Sequence, residues 1–199
     1  MHRFRSIAFG LIATTVLSLT GCSHSNAQWQ LANVSGHLPD LQFSLTDDNG
    51  KAVTAADFAG KINLLYFGYT HCPDVCPLTL THLHMVMQHL GAQATGVHVL
   101  FVSVDPARDT PTLLHQYVNA FDPRLTGLSG TPDQIQALAK RYRVAFNREA
   151  VKPDGSYDVS HSSGIYIFDA SGRARLLATS ADSVDTIVHD LRLLLGNAT

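Results

Sequence analysis

The sequence has few of the residues on which disulfide-rich and charge-driven proteins depend. It contains three cysteines in 199 residues, too few for a disulfide-stabilised scaffold. Charged residues make up 15% of the chain and the formal net charge is -2, so a nucleic-acid binder that works through bulk positive charge is excluded. Hydrophobic residues make up 45%, which excludes intrinsic disorder.

Glutamate is nearly absent. Glu149 stands alone among 16 acidic residues, and the others are aspartates. Aspartate favours turns and helix caps because its short carboxylate accepts hydrogen bonds from nearby backbone amides. The composition therefore predicts short elements joined by tight loops.

The N-terminal apolar stretch, residues 7–19, is too short to span a bilayer comfortably and follows two arginines, as in an export signal. It ends in Leu19-Thr20-Gly21-Cys22, which resembles a bacterial lipobox. We therefore predict a lipoprotein signal peptide over residues 1–21, a polar linker over 22–36 after a lipidated Cys22, and one domain over 37–199. The alternatives are an ordinary secretory signal with a chance cysteine and an uncleaved anchor.

A lipid on Cys22 would hold the domain at a membrane, on the periplasmic side of a bacterial cell envelope. That compartment is oxidising, so the other two cysteines are expected to be redox-active or to bind a metal. The linker is polar and short, which is typical of a tether between a lipid anchor and a folded domain.

Blocks of apolar residues predict an α/β fold with a central, mostly parallel sheet, a C-terminal β-hairpin and helices on both faces. The predicted strands cover residues 61–69 and 97–104, with the hairpin over 164–169 and 173–179. The predicted helices cover residues 72–89, 110–121, 131–142 and 183–195. Two of them begin at Thr110-Pro111 and Thr131-Pro132, where threonine is the expected N-cap and proline the first helical residue.

Two cysteines lie between the first buried strand and the following helix, in Cys72-Pro73-Asp74-Val75-Cys76. Functional groups of α/β folds gather at the carboxyl ends of the strands. We predict that Cys72 stands at the N-terminus of the helix, where the helix dipole favours a thiolate, and that Cys76 lies one turn further on. Two thiols so placed can close into a disulfide or bind one metal ion.

Four separated segments, in this order, resemble the Sco/SenC family of copper-binding cytochrome c oxidase assembly proteins, a family with a thioredoxin-like fold. The segments are Tyr69-Thr70-His71-Cys72-Pro73-Asp74-Val75-Cys76-Pro77, Val104-Asp105-Pro106-Ala107-Arg108-Asp109-Thr110-Pro111, Gly127-Leu128-Ser129-Gly130-Thr131-Pro132 and Asp158-Val159-Ser160-His161-Ser162. The resemblance covers residues 41–195 and implies one copper ion per domain, held by Cys72, Cys76 and His161.

The resemblance further implies a metallochaperone for the CuA centre in subunit II of cytochrome c oxidase. The protein would deliver copper to that centre or reduce its cysteines, and other periplasmic copper chaperones or thiol reductases would be partners. The ligand types agree, because Cu(I) prefers thiolates and accepts an imidazole as third ligand. No nucleic-acid partner is expected.

Three other interpretations of the cysteine pair remain open at this point. In an extracytoplasmic thiol–disulfide oxidoreductase, Cys72 would attack a partner disulfide and Cys76 would resolve the mixed disulfide. A peroxidase is a further possibility, although residues 23–199 hold no separate resolving cysteine. A purely structural disulfide across one helical turn would constrain little. A copper chaperone needs His161, whereas a pure reductase or peroxidase does not.

Several other polar residues have a candidate role and an ordinary one. His82, His84 and His89, with Met85 and Met87 between them, can bind a second copper or belong to a solvated or packed helix. His71 can tune the adjacent Cys72 or be an exposed loop residue. We expect Asp105, Arg108 and Asp109 mainly to fix a loop, with docking as a second role. One expectation for Asp158 is that it orients the His161 imidazole, and the alternative is that it has no role there.

Overall fold

Alternating strands and helices build a layered α/β structure, which the computed structural model describes for residues 29–196. The strands are β1 (Ala32–Asn33), β2 (Ser44–Asp47), β3 (Ala52–Thr54), β4 (Ile62–Gly68), β5 (Val97–Ser103), β6 (Leu125–Ser129), β7 (Phe146–Arg148), β8 (Val159–His161), β9 (Ile165–Phe168) and β10 (Ala174–Ala178). The α-helices are α1 (Val75–Leu90), α2 (Pro111–Phe121), α3 (Pro132–Arg141) and α4 (Val184–Gly196). Two short 3₁₀ helices cover Ala55–Phe58 and Gly91–Gly96.

Eight of these strands form one sheet in the order β1-β10-β9-β4-β5-β6-β2-β3. The centre is parallel, since β5 pairs in parallel with both β4 and β6, and antiparallel strands extend it on either side. The predicted C-terminal hairpin is β9–β10, which joins the sheet beside β4. Strands β7 and β8 form a separate two-stranded ribbon.

The central strand β4 is buried on both faces along its whole length, as its apolar run predicts. Tyr66 and Phe67 are neighbours in this strand and therefore point to opposite faces. On one face, the ring of Tyr66 packs against Phe101, which packs against Tyr117 of α2. On the other face, the ring of Phe67 packs against Tyr166, which packs against Tyr142 at the end of α3. Helices thus cover both faces, which confirms the predicted fold class.

The predicted helix caps are present. The Thr110 side chain accepts a hydrogen bond from the Leu113 amide at the start of α2. Thr131 and Gln134 cap α3 reciprocally, because each side chain bonds to the backbone amide of the other. These local signals fix where the two helices begin.

Strand β6 does not appear among the elements predicted from sequence. Its segment contains Gly127 at the centre, and glycine is an unfavourable residue inside a strand. The structure explains the glycine, because a Cβ atom there would lie 2.4 Å from Cγ of Leu114 on α2. Close packing of α2 on the sheet therefore requires a residue that local propensity disfavours.

The predicted signal peptide and the Cys22 lipidation site lie outside the described residues. Within residues 29–196, no helix combines the length and the apolar character needed to cross a membrane.

Candidate metal centre

The first cysteine lies before the helix, in the turn that follows β4. The sequence predicts Cys72 at the N-terminus of the helix, but α1 begins at Val75, with Asp74 as its N-cap. The Cys72 amide donates to the Tyr69 carbonyl at 3.3 Å, which closes the turn. Cys72 is partly exposed, so its thiol is open to a partner at the surface.

Cys76 is the second residue of α1, and its side chain is fully buried. Its backbone amide is among the first four of the helix, which have no intrahelical acceptor. This amide donates to Sγ of Cys72 at 3.4 Å. The predicted contact between Cys72 and the helix N-terminus is therefore made through the amide of Cys76, although Cys72 is outside the helix.

The third side chain comes from the ribbon. His161 ends β8, and its Nδ1 donates to the Ser162 carbonyl at 3.0 Å. This hydrogen bond assigns the proton to Nδ1 and makes Nε2, which carries a lone pair, the acceptor atom of the ring. Nε2 lies 3.3 Å from Sγ of Cys76, so the imidazole presents a ligand atom to the cysteine pair.

The three predicted ligand residues converge although 85 positions separate Cys76 from His161. The ligand atoms of Cys72, Cys76 and His161 all lie within 4.8 Å of one another. Within the described residues, no other group of three histidine, cysteine or acidic side chains has this property. Two sulfurs and one imidazole nitrogen are a donor set that suits Cu(I), which is soft and accepts few ligands.

The surroundings keep the inner part of this site uncharged at neutral pH. Burial raises the pKa of the Cys76 thiol to about 12, against the lowering effect of a hydrogen bond from the Tyr69 backbone. Burial also lowers the pKa of His161, which keeps the imidazole neutral and able to coordinate. A metal that binds here must displace the Cys76 proton, so binding would release protons.

A buried carboxylate holds the cysteine turn in place. Asp109 is 1% exposed and accepts hydrogen bonds from the Thr70 amide at 3.0 Å and the Thr70 hydroxyl at 2.6 Å. It also accepts from the Ser103 hydroxyl at 2.6 Å, so it connects the residues before Cys72 to the end of β5.

The preceding residues of the same loop are fixed in a similar way. Asp105 accepts hydrogen bonds from Arg108 Nε and, at 2.8 Å, from the Tyr157 hydroxyl. Arg108 in turn donates to the Tyr157 carbonyl at 2.9 Å. The loop-fixing role expected for Asp105, Arg108 and Asp109 is confirmed.

Asp158 does not orient His161, so this expectation is wrong. Asp158 instead forms an ion pair with Lys152 at 2.7 Å, and the His161 Nδ1 proton goes to the Ser162 carbonyl. The Ser162 carbonyl belongs to the next residue in the chain, so a backbone group orients the imidazole and no carboxylate is needed. His71 is exposed and contacts Thr70 and Asp109 rather than the cysteines.

The histidines of α1 do not form a second ligand group. His84 pairs with Asp122 at 2.9 Å, and His89 lies 3.6 Å from Asp185. His82 is partly buried, and its Nε2 has no hydrogen-bond partner among the described residues. Helical spacing places His82 and His89 on one side of α1, two turns apart, and His84 on another side, and each has different surroundings.

Two aromatic residues beside the site were not singled out by the sequence analysis. The rings of Tyr66 and Tyr69 meet His161 edge-on, with centroids 6.2 and 5.9 Å away. Both belong to the apolar run of β4 and its continuation, where a core residue and a residue beside a site have the same pattern. Their position beside the site is seen only in the structure, where the His161 ring of β8 packs against both tyrosine rings.

Comparison with known proteins is consistent with this geometry. The sequence profile of the SCO1/SenC family matches residues 35–196. "Protein SCO2, mitochondrial" of Saccharomyces cerevisiae is 43% identical over 133 residues, which cover 66% of this chain and 44% of that protein. The chain spans about half the length of the curated relatives it matches, with 57% coverage of the "Protein SCO2 homolog, mitochondrial" of Bos taurus.

Solved structures match over most of their length. The structure of Bradyrhizobium japonicum ScoI with copper bound is 41% identical, with a TM-score of 0.72 and coverage of 78% of this chain and 98% of that one. The structure of Arabidopsis thaliana ScoI with copper bound is 34% identical, with a TM-score of 0.74 and coverage of 79% and 98%. The fold is thioredoxin-like, as the resemblance implied. The chain belongs to the SCO1/SenC family.

Proposed function

We propose that this protein is a copper chaperone that carries one Cu(I) per domain on Cys72, Cys76 and His161. The observation that carries the proposal is the convergence of two sulfurs and one imidazole nitrogen to within 4.8 Å. Relatives of the same fold, from Bradyrhizobium japonicum and Arabidopsis thaliana, have been solved with copper bound. Copper is the cargo, and the CuA centre of cytochrome c oxidase subunit II is the acceptor that we propose.

The arrangement suits a carrier better than a permanent copper site. Cys76 is fully buried and His161 is partly buried with a neutral imidazole, whereas Cys72 lies in a partly exposed turn at the surface. An acceptor thiolate can therefore approach the metal from the side of Cys72. Three-coordinate Cu(I) accepts an additional soft ligand, which provides a route for exchange.

We test the ligand set by competitive Cu(I) titration of the reduced protein against a chromogenic chelator. The wild-type domain is expected to bind one equivalent. Cys72→Ser and Cys76→Ser are each expected to lose tight binding, because one thiolate and one imidazole make a poor Cu(I) site. His89→Ala, which removes a histidine half exposed on α1, is the control and should bind as wild type. Near-native affinity in either serine variant would show that the site is wrongly assigned.

The second candidate function is thiol–disulfide exchange. The structure has two free thiols, one partly exposed and one buried, the arrangement of an attacking and a resolving cysteine. A reductase that prepares the CuA cysteines for copper would use the same pair.

His161 separates the two functions. We expect His161→Ala to weaken Cu(I) binding by more than tenfold and to leave reduction of a small disulfide nearly unchanged, because exchange needs the thiols but not the third ligand. Both assays are run on the same pre-reduced preparation at neutral pH. Intact copper affinity with strongly slowed reduction would instead make the imidazole an acid–base group of a reductase.

We also propose that the domain acts outside the cytoplasm, tethered to the cell envelope by a lipid on Cys22 after removal of residues 1–21. The proposal is supported by the lipobox-like Leu19-Thr20-Gly21-Cys22 and the preceding apolar stretch. Palmitate labelling in a bacterial host tests it. Wild-type protein should incorporate label and fractionate with membranes, whereas Cys22→Ser should do neither. Label in the serine variant would contradict this anchor.

A further inference from the structure

A buried hydroxyl beside the cysteine pair has no hydrogen-bond partner. Tyr66 is 0% exposed, and its hydroxyl oxygen is one of a few buried side-chain atoms in residues 29–196 that lack a partner. A second one belongs to Tyr117 of α2, which lies beyond the ring of Phe101. Buried polar groups are nearly always paired, so an unpaired phenol in the core requires an explanation.

The sulfur of Cys76 is next to this phenol. Tyr66 and Gly68 are two residues apart on β4, so both face the same side of the sheet. A Cβ atom at Gly68 would lie 2.9 Å from Sγ of Cys76, which places the sulfur over the strand two residues after Tyr66. On the same side, the Tyr66 ring is 6.2 Å from the ring of His161. Tyr66 therefore forms part of the floor of the site.

The electrostatics agree with this proximity. Burial raises the pKa of Tyr66, and the charge of a Cys76 thiolate raises it further. The hydroxyl of Thr79 is also near, and its proton is donated to the Val75 carbonyl at 2.8 Å. Its oxygen could accept from the phenol, but the Tyr66 hydroxyl makes no hydrogen bond to it. The phenol and the sulfur thus lie on the same side of β4, next to the first turns of α1.

The two protonation states of the sulfur differ in what they offer to this phenol. A neutral thiol is a weak acceptor, whereas a thiolate accepts charge-assisted hydrogen bonds that are about twice as strong as neutral ones. A metal ligated by Cys76 requires the thiolate. The unpaired hydroxyl would therefore find an acceptor when the sulfur coordinates.

We propose that Tyr66 is a positioning residue for copper, whose hydroxyl donates a hydrogen bond to the Cys76 thiolate of the loaded site. The inference rests on the proposed function, since it needs copper at Cys72, Cys76 and His161. The hydrogen bond stabilises the loaded form and contributes little when Cys76 is a thiol, which is only a weak acceptor. Tyr66 in this way increases copper affinity without adding a ligand.

The test uses Tyr66→Phe, which removes one oxygen and keeps the ring. We expect Cu(I) affinity to fall about 10- to 100-fold, the usual effect of removing a group that supports a ligand. The reduced protein without copper should melt at the same temperature or higher, because the variant loses an unpaired buried hydroxyl. In the Cu(II) complex, the sulfur-to-copper charge-transfer band should move to lower energy, because the thiolate loses a donor. A merely structural tyrosine would not combine these results.

Tyr166→Phe is the matched control, because Tyr166 is a buried tyrosine on the opposite face of the sheet. It should leave the copper affinity and the charge-transfer band unchanged. Wild-type copper affinity in Tyr66→Phe, or equal losses of copper affinity in the two variants, would overturn this inference. The proposed function would still stand. A loss of melting temperature in the copper-free Tyr66→Phe protein would also overturn it, since the hydroxyl would then be structurally paired. If the wild type binds no copper, the proposed function fails first and the inference fails with it.

Discussion

At the scale of single residues, Gly68 determines how closely Cys76 approaches the sheet. It ends β4, and any Cβ atom there would lie 2.9 Å from Sγ of Cys76 and 2.7 Å from the Phe101 ring. The phenylalanine is fully buried, so it has little room to move. Glycine is required here by the lack of space rather than by backbone conformation.

Gly68→Ala is therefore expected to damage both the fold and the site. Overpacking of a buried position costs about 1–3 kcal/mol, and the sulfur is displaced from His161. Urea unfolding measures the first effect, and Cu(I) titration against a chelator measures the second. Gly196→Ala is the control, because a Cβ atom there meets nothing within 4 Å. Unchanged stability and affinity in Gly68→Ala would show that the sulfur is not held against β4.

At the scale of elements, one proline explains why α1 begins at Val75, later than the predicted Cys72. Pro77 lacks an N–H and is tolerated only where the helix needs no donor, in the first turn. A helix that began at Pro73 would place Pro77 beyond that turn, whereas a start at Val75 makes Pro77 the third residue. This signal is present in the sequence, so the boundary could have been predicted correctly.

Other parts of the fold depend on contacts that a local pattern does not record. The buried strands, the C-terminal hairpin and the capped helices follow from apolar runs and cap residues, and the structure contains them all. The glycine-containing β6 and the short β7–β8 ribbon follow from packing against distant elements. His161 was placed in the site by resemblance alone, since no periodicity brings β8 to Cys76.

A buried carboxylate connects α1 to the end of α2. Asp122 is 1% exposed, accepts from Arg124 Nε at 2.8 Å and lies 2.9 Å from His84 Nδ1. Burial alone would raise the pKa of Asp122, but the hydrogen bonds from Arg124 and His84 outweigh it and lower the pKa to about 2. A carboxylate with a lowered pKa stabilises the fold above its unfolded pKa, and this stabilisation is lost as the pH falls.

We expect Asp122→Asn to lower the free energy of unfolding by about 2 kcal/mol at pH 7, because a pKa lowered by about two units corresponds to roughly that energy. The difference between wild type and variant should disappear as the pH falls from about 4 to about 2. Urea unfolding across this range measures it, with the exposed Asp133→Asn as the control for loss of a surface carboxylate. A difference that stays constant with pH would contradict the role of the ionised carboxylate.

At the scale of the whole molecule, the three candidate ligands connect separate parts of the chain. Cys72 lies in the turn after β4, Cys76 in α1, and His161 at the end of the β7–β8 ribbon. A bound ion would join the ribbon directly to the sheet and to α1. Copper should therefore act as a cross-link between β8 and the β4–α1 junction.

Copper is consequently expected to stabilise the reduced protein against unfolding. A ligand that binds only the folded state stabilises it by about 2.7 kcal/mol at a free concentration one hundred times its Kd. The melting temperature of the reduced protein should rise with buffered Cu(I), and His161→Ala should reduce the rise because the ribbon loses its bond to the metal. Calorimetry with a Cu(I) buffer measures both effects.

Oxidation should abolish this stabilisation completely, because a Cys72–Cys76 disulfide leaves no thiolate to bind Cu(I). Mass spectrometry after alkylation without reductant should find two hydrogens fewer in the peptide that contains both cysteines. The same oxidised sample should then show no change of melting temperature with copper, and reduction should restore the change. An equal response to Cu(I) in oxidised and reduced protein would mean that the metal binds elsewhere. The redox state of the pair would then no longer decide whether the protein can carry copper.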